Sequence, residues 1–293
     1  MTRTESPGCV RGGRFRGDGV DLAATSWTRT DGGSGIVVLL HGGGQTRHSW
    51  QRTGERLAAE GWRVHSLDLR GHGDSAWAWD GDYSIDAHAR DIRAVVASLP
   101  EPPVLVGASL GGMASLTAQA ADGRLARALV LVDITPKAQP EGLARIHEFM
   151  SRGVDGFDSL DDALDAVVAY NPNRRRAPRI EGLRKNLRHR DGRWYWHWDP
   201  RILAQRENSV EAADERERAA RSAARRIEVP TLLVHGAQSD VVAQDGVEDL
   251  LALIPGARHV EVHGAGHMIA GDDNDVLSAG IADFCTALQS GRA

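Results

Sequence analysis

The stretch Pro103-Val-Leu-Val-Gly-Ala-Ser-Leu-Gly-Gly-Met-Ala-Ser-Leu116 decides how the rest of the chain is interpreted. It begins with a short apolar run and continues after Gly111 with small residues that suit a helix, so it predicts a strand, an abrupt turn and a helix. Ser109 lies on the turn, between Gly107 and Gly111. A turn that lifts a serine above the end of a sheet needs neighbours without side chains, because a Cβ atom there would meet the crossing backbone. The stretch therefore predicts a nucleophile elbow with Ser109 at its tip.

The sequence on both sides of this stretch alternates between apolar strand patterns and amphipathic helix patterns. Asp18-Gly19 suits a tight hairpin, so we expect an antiparallel pair of strands at the start of the chain. Further strands are expected at 36–40, 63–69, 128–134, 230–236 and 259–262, and a closing helix at 275–289. This alternation is typical of an α/β protein with a mostly parallel central sheet and helices on both faces.

The alternation stops between residues 136 and 226, where charge and helical periodicity dominate. We interpret 136–226 as a helical cap inserted after the sixth strand, and 1–135 with 227–293 as the core domain. Arg174-Arg-Arg176 in this segment is interpreted as a solvated face, because acidic residues are interspersed throughout. The cluster Trp194-Tyr-Trp-His-Trp198 could be the cap's own core, but so many aromatics in five residues also suit a pocket wall. We expect at least one of Trp194, Trp196 and Trp198 to line a substrate pocket.

The composition of the chain indicates which partners and which cellular location to expect. The chain has 293 residues, 41% of them hydrophobic, and a formal net charge of -5 with both signs well represented, so a polyanion such as nucleic acid is not expected as a partner. Cys9 and Cys285 give no disulfide framework, and we interpret both as free thiols. There is no apolar run of the length of a signal peptide or a membrane span, so the expectation is a cytoplasmic protein with no membrane partner.

Polar residues follow the predicted strands on the carboxyl side of the elbow. Asp240 lies in Gly236-Ala-Gln-Ser-Asp-Val-Val242, and His267 lies in His263-Gly-Ala-Gly-His-Met268. Catalytic groups in open parallel sheets collect at the carboxyl ends of strands, so both side chains can converge on Ser109. Asp133 also follows a strand and is the alternative carboxylate, but we expect Asp240 to be the acid.

With these motifs, His41-Gly42-Gly43 and Asp68-Leu-Arg-Gly-His-Gly-Asp-Ser75 complete a pattern that resembles the α/β-hydrolase superfamily over nearly the whole chain. The chain is most similar to the capped group of esterases, lactonases, carbon–carbon bond hydrolases, cofactor-free perhydrolases, epoxide hydrolases and dehalogenases. The last two use a carboxylate nucleophile, so a serine at position 109 argues against them. The resemblance implies an oxyanion hole formed by the backbone N–H groups of Gly43 and Leu110.

The expected function is a serine hydrolase that cleaves a small or medium carboxylic ester or lactone through an acyl-enzyme. Ser109 would be the nucleophile, His267 the base, and Asp240 the group that fixes the histidine tautomer. Carbon–carbon hydrolysis and perhydrolysis by the same triad stay open, as does a small-molecule receptor that keeps the triad.

We expect no cofactor and no metal. His235, His259 and His263 have no partners at metal-ligand spacing. His41, His72 and Asp68 are interpreted as residues that brace their loops.

Overall fold

The computed structural model describes residues 9–28, 34–170, 180–204, 209–267 and 275–290. Within these residues the strands are β1 (Cys9–Arg16), β2 (Asp21–Thr28), β3 (Ile36–Leu40), β4 (Arg63–Leu67), β5 (Val104–Ala108), β6 (Ala128–Val132), β7 (Leu187–Arg190), β8 (Arg193–Trp196), β9 (Thr231–Gly236) and β10 (Arg258–Val262). The described α-helices are α1 (Gln51–Ala59), α2 (Ile85–Ala97), α3 (Leu110–Ala121), α4 (Pro140–Ser151), α5 (Leu160–Tyr170), α6 (Ile180–Leu183), α7 (Arg201–Ala204), α8 (Val210–Ala224), α9 (Gln244–Leu253) and α10 (Asp275–Gln289). Short 3-10 helices cover Arg47–Trp50 and Arg184–Asn186.

The main sheet has eight strands in the order β1-β2-β4-β3-β5-β6-β9-β10. The β1–β2 and β2–β4 pairs are antiparallel, and all later neighbours in the order are parallel. The predicted opening hairpin and mostly parallel sheet are therefore confirmed. Parallel strands place their carboxyl ends at one edge, so the segments that follow β3, β5, β6 and β9 lie close together there.

Helices cover both faces of this sheet, as the strand sequences predict. In β3, alternate residues point to opposite faces. Val38 and Leu40 pack with side chains from α2, α3, α8 and α9, whereas Val37 and Leu39 pack with side chains from α1 and α10. Because every residue of β3, β5 and β6 is buried, these strands read as continuous apolar runs rather than alternating ones.

The segment between β6 and β9 forms an apolar cluster of its own. Its buried members come from α4 onward to the second residue after β8, and they are Met150, Phe157, Ala163, Ala166, Leu183, Leu187, Trp196 and Trp198. The segment also contains the antiparallel hairpin β7–β8, which the sequence analysis did not predict. Three of the four residues of β7 are exposed, so the hairpin has no buried-strand pattern to detect.

The end of the inserted segment differs from the predicted boundary at residue 226. Ala223 and Ala224 of α8, with Ile227, belong to the cluster on one face of the main sheet. The packing therefore groups α8 with the helices of the sheet. Arg174–Arg176 lie outside the described residues.

Two sequence expectations concern thiols and membranes. Cys285 is a free, buried thiol, and its burial raises its pKa to about 12. The side chain of Cys9 lies outside the described part of the structure. Among the described helices, none combines the length and apolar character that crossing a bilayer would require.

Candidate active site

The turn between β5 and α3 has the conformation that the sequence predicts. Ser109 has φ 44° and ψ -111°, a region that residues with a side chain rarely adopt. A Cβ atom on Gly107 would lie 2.4 Å from the Gly111 backbone, and one on Gly111 would lie 2.6 Å from the Leu40 carbonyl oxygen. Glycine is therefore required at both positions, and the packed turn holds Ser109 at the carboxyl edge of the sheet.

Three side chains form a continuous series of hydrogen bonds at this edge. Ser109 Oγ lies 3.1 Å from His267 Nε2, and His267 Nδ1 lies 2.6 Å from Asp133 Oδ2. Since a carboxylate oxygen accepts, Nδ1 carries the imidazole proton and Nε2 is left to accept from the serine hydroxyl. The His267 and Asp133 side chains are 7% and 1% exposed, so the hydrogen bond between them lies almost entirely out of water, whereas Ser109 is half-buried.

Asp133 directly follows β6 and is held by groups from the loop after β9. Its Oδ1 accepts from the Gly236 N–H at 2.9 Å, and its Oδ2 accepts from Ser239 Oγ at 2.6 Å. Ser239 Oγ in turn accepts from the N–H groups of Val241 and Val242. With His267, three donors face one carboxylate and fix its orientation.

Asp240 is not in this series, and the prediction that it contacts His267 is wrong. Its carboxylate forms an ion pair with Arg145 of α4 at 2.8 Å, and its side chain is 28% exposed. The physical reason is the position of the two strands in the sheet relative to β5. β6 pairs directly with β5, which carries the elbow, and Asp133 is the first residue after β6, at φ 51°. Asp240 lies four residues beyond β9, which is one strand farther away.

The glycine loop, defined here as His41 to Gln45, lies beside Ser109. A Cβ atom on Gly42 would stand 3.4 Å from Ser109 Cβ, whereas one on Gly43 would meet nothing within 4 Å. Gly42 N–H donates to Gln45 Oε1, Gly44 N–H donates to His72 Nε2, and Gln45 N–H donates to the Gly42 carbonyl. Within the described residues, the Gly43 N–H has no protein acceptor.

The Leu110 N–H likewise has no acceptor among the described residues. Leu110 is the first residue of α3, and the first N–H groups of a helix have no carbonyl group within the helix to donate to. The N–H groups of Gly43 and Leu110, which the sequence analysis singles out, are thus both free to donate to a bound ligand. One belongs to the glycine loop and the other to the elbow, and the two meet at Ser109. This arrangement has the donors that a developing negative charge on oxygen requires.

The family assignment rests on a match that covers most of the chain. The family model described as alpha/beta hydrolase fold matches residues 35–273. The chain belongs to the alpha/beta hydrolase family. The predicted α/β-hydrolase fold, with a mostly parallel central sheet and helices on both faces, is therefore confirmed, and the helical cap stays a prediction.

Proteins similar to this chain include enzymes of several kinds. Over 187 residues the chain is 34% identical to esterase Rv0045c of Mycobacterium tuberculosis, covering 61% of this chain and 62% of that protein. It is 28% identical to a non-heme haloperoxidase of Rhodococcus erythropolis, covering 91% and 96% of the two chains. The solved structure of E-2-(acetamidomethylene)succinate hydrolase superposes with a TM-score of 0.81 over 95% of this chain and 100% of that one. At 22% identity, that likeness supports the alpha/beta hydrolase fold alone.

The aromatic cluster contributes to the apolar core of the segment between β6 and β9, and its expected role in lining a substrate pocket stays a prediction. Trp196 and Trp198 are 7% and 5% exposed and belong to the cluster inside the inserted segment, where Trp196 meets Phe157 edge-on at 5.2 Å. Trp194 packs partly buried against the same cluster and lies 4.7 Å from the His189 ring. Apolar side chains on a segment that leaves the sheet must bury one another, so these tryptophans serve as its core.

The sequence analysis did not predict the contacts that two further residues, Ser239 and Met150, make near the site. Ser239 had no expected role, although its place directly before Asp240 and three residues after β9 was a usable signal. Met150 of α4 reaches the glycine loop, with its side chain 3.6 Å from where a Cβ on Gly44 would stand. Its sequence position gave no signal, because the contact depends on how the inserted segment folds back.

Within the described ranges, no group of three or more His, Cys, Asp or Glu side chains is placed to hold a metal ion. His235 Nδ1 and His259 Nε2 lie 2.8 Å apart and share a hydrogen bond.

Proposed function

We propose that the chain is a serine hydrolase that cleaves a small or medium carboxylic ester through an acyl-enzyme on Ser109. The observation that carries this proposal is the series Ser109 Oγ, His267 and Asp133, joined by hydrogen bonds of 3.1 and 2.6 Å. A serine hydroxyl needs a base within hydrogen-bond reach, and His267 Nε2 stands at that distance with its lone pair facing the hydroxyl.

The proposed reaction has two halves. Ser109 Oγ attacks the ester carbonyl carbon while its proton passes to His267 Nε2, and the tetrahedral intermediate then expels the alcohol, which takes that proton. In the second half, water gives a proton to His267 and attacks the acyl carbon, and Ser109 Oγ leaves with the proton returned to it. Asp133 keeps the ring in the Nδ1–H tautomer and stabilises the imidazolium that forms in each half.

The backbone N–H groups of Gly43 and Leu110 are proposed to bind the oxyanion of both intermediates. Their lack of protein acceptors within the described residues supports this role, as does the position of Gly42 against Ser109. The loss of one such donor typically costs about 3 to 4 kcal/mol of transition-state stabilisation.

The names of similar proteins favour an ester as the substrate. Esterase Rv0045c is 34% identical over the matched residues, and a 3-hydroxybutyrate-oligomer hydrolase of Cupriavidus necator is 27% identical over 79% of this chain. Since the first match spans only 62% of that relative's length, the substrate class is part of the proposal rather than transferred from the name.

Perhydrolysis is a second candidate, favoured by the similarity to the non-heme haloperoxidase over 91% of this chain. The acyl-enzyme would be the same, but hydrogen peroxide would take the place of water and release a peracid. A lactone would open by the same chemistry as an ester.

The test is intact-protein mass spectrometry after mixing with p-nitrophenyl acetate, alongside release of p-nitrophenol. The wild-type protein should gain one acetyl group and release product continuously, and Ser109→Ala should do neither. Ser98→Ala, which removes an exposed hydroxyl at the end of α2, is the matched control and should behave as wild type. Equal acetylation of wild type and Ser109→Ala would contradict the proposal, and peracid formation with added peroxide would favour the second candidate.

A further inference from the structure

The Ser239 hydroxyl accepts two hydrogen bonds from backbone and donates one to Asp133. The Val241 N–H donates to Ser239 Oγ at 3.2 Å, and the Val242 N–H donates to it at 3.1 Å. A serine hydroxyl has one proton and two lone pairs. With both lone pairs in use, its proton is directed to Asp133 Oδ2, which lies 2.6 Å from Ser239 Oγ. The orientation of this hydroxyl therefore depends on two peptides of the loop after β9.

Two residues at the start of α4 contact the carbonyl sides of the same two peptides. The Val241 N–H shares its peptide with the Asp240 carbonyl, and a Cβ atom on Gly142 would overlap the oxygen of that carbonyl. The Val242 N–H shares its peptide with the Val241 carbonyl, which accepts from the Gln139 N–H at 2.9 Å. In a trans peptide the carbonyl and the N–H point in opposite directions. Each peptide therefore has α4 on its carbonyl side and the serine hydroxyl on its N–H side.

The packing at position 142 requires a glycine. Gly142 is buried in the first turn of α4, where alanine would suit the helix better than glycine does. An added Cβ atom would meet the Asp240 carbonyl and would also lie 2.9 Å from Val241 Cγ2. Because the carbonyl belongs to backbone, the whole peptide would have to shift. The Val241 N–H would then move with it, relative to Ser239 Oγ.

Gln139 holds the second peptide with its own backbone. It is the N-cap residue of α4, with φ -73° and ψ 124°, and its side chain makes no capping hydrogen bond. Its carbonyl accepts from the Leu143 N–H at 3.1 Å, while its N–H donates to the Val241 carbonyl at 2.9 Å. The carbonyl of Gln139 thus belongs to the helix and its N–H to the loop, which joins the two segments at this residue.

Asp240 contacts α4 in two ways that differ in exposure. Its carboxylate pairs with Arg145 at the surface, where the two side chains are 28% and 52% exposed and water screens the pair. Its carbonyl packs against the buried Gly142, next to Val241 and Val242, which are 5% and 4% exposed. At residue 240 the backbone contact, rather than the ion pair, is therefore the one that can set the geometry of the loop.

We propose that Gly142 and Gln139 are positioning residues that hold the Ser239 hydroxyl toward Asp133. The inference rests on the proposed function, in which Asp133 keeps His267 in the reactive tautomer. Neither residue touches the reacting atoms, since each acts through a peptide of the loop after β9 and then through the serine hydroxyl. The first helix of the inserted segment thereby supports the catalytic series as well as its own cluster.

The experiment uses two variants that disturb the two peptides separately. Gly142→Ala adds the overlapping Cβ atom. Gln139→Pro removes the N–H and keeps the carbonyl, and proline adopts a φ close to the -73° observed there. The matched control is Gly280→Ala in α10, because a Cβ atom at that position meets nothing within 4 Å. Thermal melting comes first, to establish that each variant is folded at the assay temperature.

Two quantities are measured in each folded variant. The first is kcat and KM for p-nitrophenyl acetate, also in Ser239→Ala and in the double variant Gly142→Ala/Ser239→Ala. The second is the low-field proton NMR resonance of the His267 Nδ1–H, which lies 2.6 Å from Asp133 and needs no substrate to be observed. A residue that only stabilises the fold should change neither quantity once folding is established.

The expected result is a loss that runs through the serine hydroxyl. Gly142→Ala and Gln139→Pro should each lower kcat by roughly tenfold to hundredfold with KM nearly constant, and Gly280→Ala should match wild type. The double variant should stay within about threefold of Ser239→Ala alone, because residues on one path are not additive. The His267 resonance should move in Gly142→Ala and stay in place in Gly280→Ala.

Three outcomes would contradict one proposal or the other. Losses that multiply in the double variant would show that Gly142 acts by another route and would overturn the inference. Wild-type kcat with an unmoved resonance in folded Gln139→Pro would overturn it as well, and this variant decides the matter if Gly142→Ala does not fold. A wild-type protein no more active than Ser109→Ala would contradict the proposed function, whereas the resonance would still test the contact of α4 with the loop.

Discussion

Asp133 and Asp240 follow strands at the same edge of the sheet, yet they differ in exposure to solvent and in the partners of their carboxylates. Asp133 is 1% exposed and accepts hydrogen bonds from His267, Ser239 and the Gly236 N–H. Asp240 is 28% exposed and pairs with Arg145, which is itself 52% exposed. One carboxylate is held in a buried network, and the other takes part in an ion pair at the surface.

The difference shows what makes a strand-end carboxylate useful to a histidine. A buried carboxylate with several donors has one orientation, and its interaction with an imidazolium is weakly screened. A surface pair is screened by water and salt and fixes its partners only weakly. The loop after β9 still contributes to the site, through the Ser239 hydroxyl rather than through the Asp240 carboxylate.

The largest expected effect separates the two carboxylates by activity. Asp133→Asn should lower kcat for p-nitrophenyl acetate by roughly a thousandfold to ten-thousandfold, because an amide can hold His267 in the wrong tautomer. Asp240→Asn should stay within about threefold of wild type, since only a surface ion pair is lost. The reverse ranking in two folded variants would restore Asp240 as the acid.

A second prediction concerns stability below neutral pH, where buried neutral histidines must bind protons on unfolding. Burial lowers the folded-state pKa of His41 to about 4 and that of His72 to about 3, below the ordinary value of 6.5. Their contribution is therefore complete above about pH 6.5 and is lost as the pH falls toward those folded values. In that window each should lower the free energy of unfolding by about 1.4 kcal/mol per pH unit.

Urea unfolding at several pH values between about 7.5 and about 5 measures this slope. His72→Gln has no titrating ring at this position. The slope of its unfolding free energy against pH should therefore be smaller by about 1.4 kcal/mol per pH unit, which is the contribution of one proton. The same slope in both proteins would mean that His72 is not buried in its neutral form. Ser98→Ala, which removes an exposed hydroxyl and no titrating group, is the control and should leave the slope unchanged.

The third prediction tests the support that the β9 loop gives to Asp133. Ser239→Ala removes one hydrogen bond to a charged acceptor, so kcat should fall roughly tenfold to hundredfold. Ser239→Thr keeps a hydroxyl at the position and should recover most of the activity. If Ser239→Ala matches wild type, the hydroxyl is dispensable for holding Asp133.

The smallest expected effect is that of the surface pair itself. Arg145→Ala should change the free energy of unfolding by less than about 1 kcal/mol, because both partners are partly exposed and screened by solvent. That small difference should shrink further at high salt. A loss of several kcal/mol would mean that the pair ties α4 to the core far more strongly than its exposure indicates.

The sequence predicts well those features that depend on a few adjacent residues. The elbow follows from Gly107 and Gly111, since a Cβ atom at either would overlap backbone. β3, β5 and β6 follow from uninterrupted apolar runs, because strands buried on both faces tolerate little else. Ser109 and His267 come together as expected.

Features that depend on the conformations of separate loops are harder to predict from the sequence. Asp133 and Asp240 both follow strands, and the choice between them depends on strand order and on the turn at Asp133, which no local pattern records. Trp196 and Trp198 suit a pocket wall and a core equally well by composition. Their burial is decided by α4, α5 and the unpredicted hairpin β7–β8, which pack around them.

The most direct test of the account is the low-field proton NMR resonance of a histidine Nδ1–H that donates to a carboxylate. The account predicts such a resonance for His267 in the wild type, its persistence in Asp240→Asn, and its loss in Asp133→Asn and in a His267→Gln control. This measurement reports the contact itself and needs no substrate. A resonance that persists in Asp133→Asn and disappears in Asp240→Asn would contradict the central claim that Asp133 is the partner of His267.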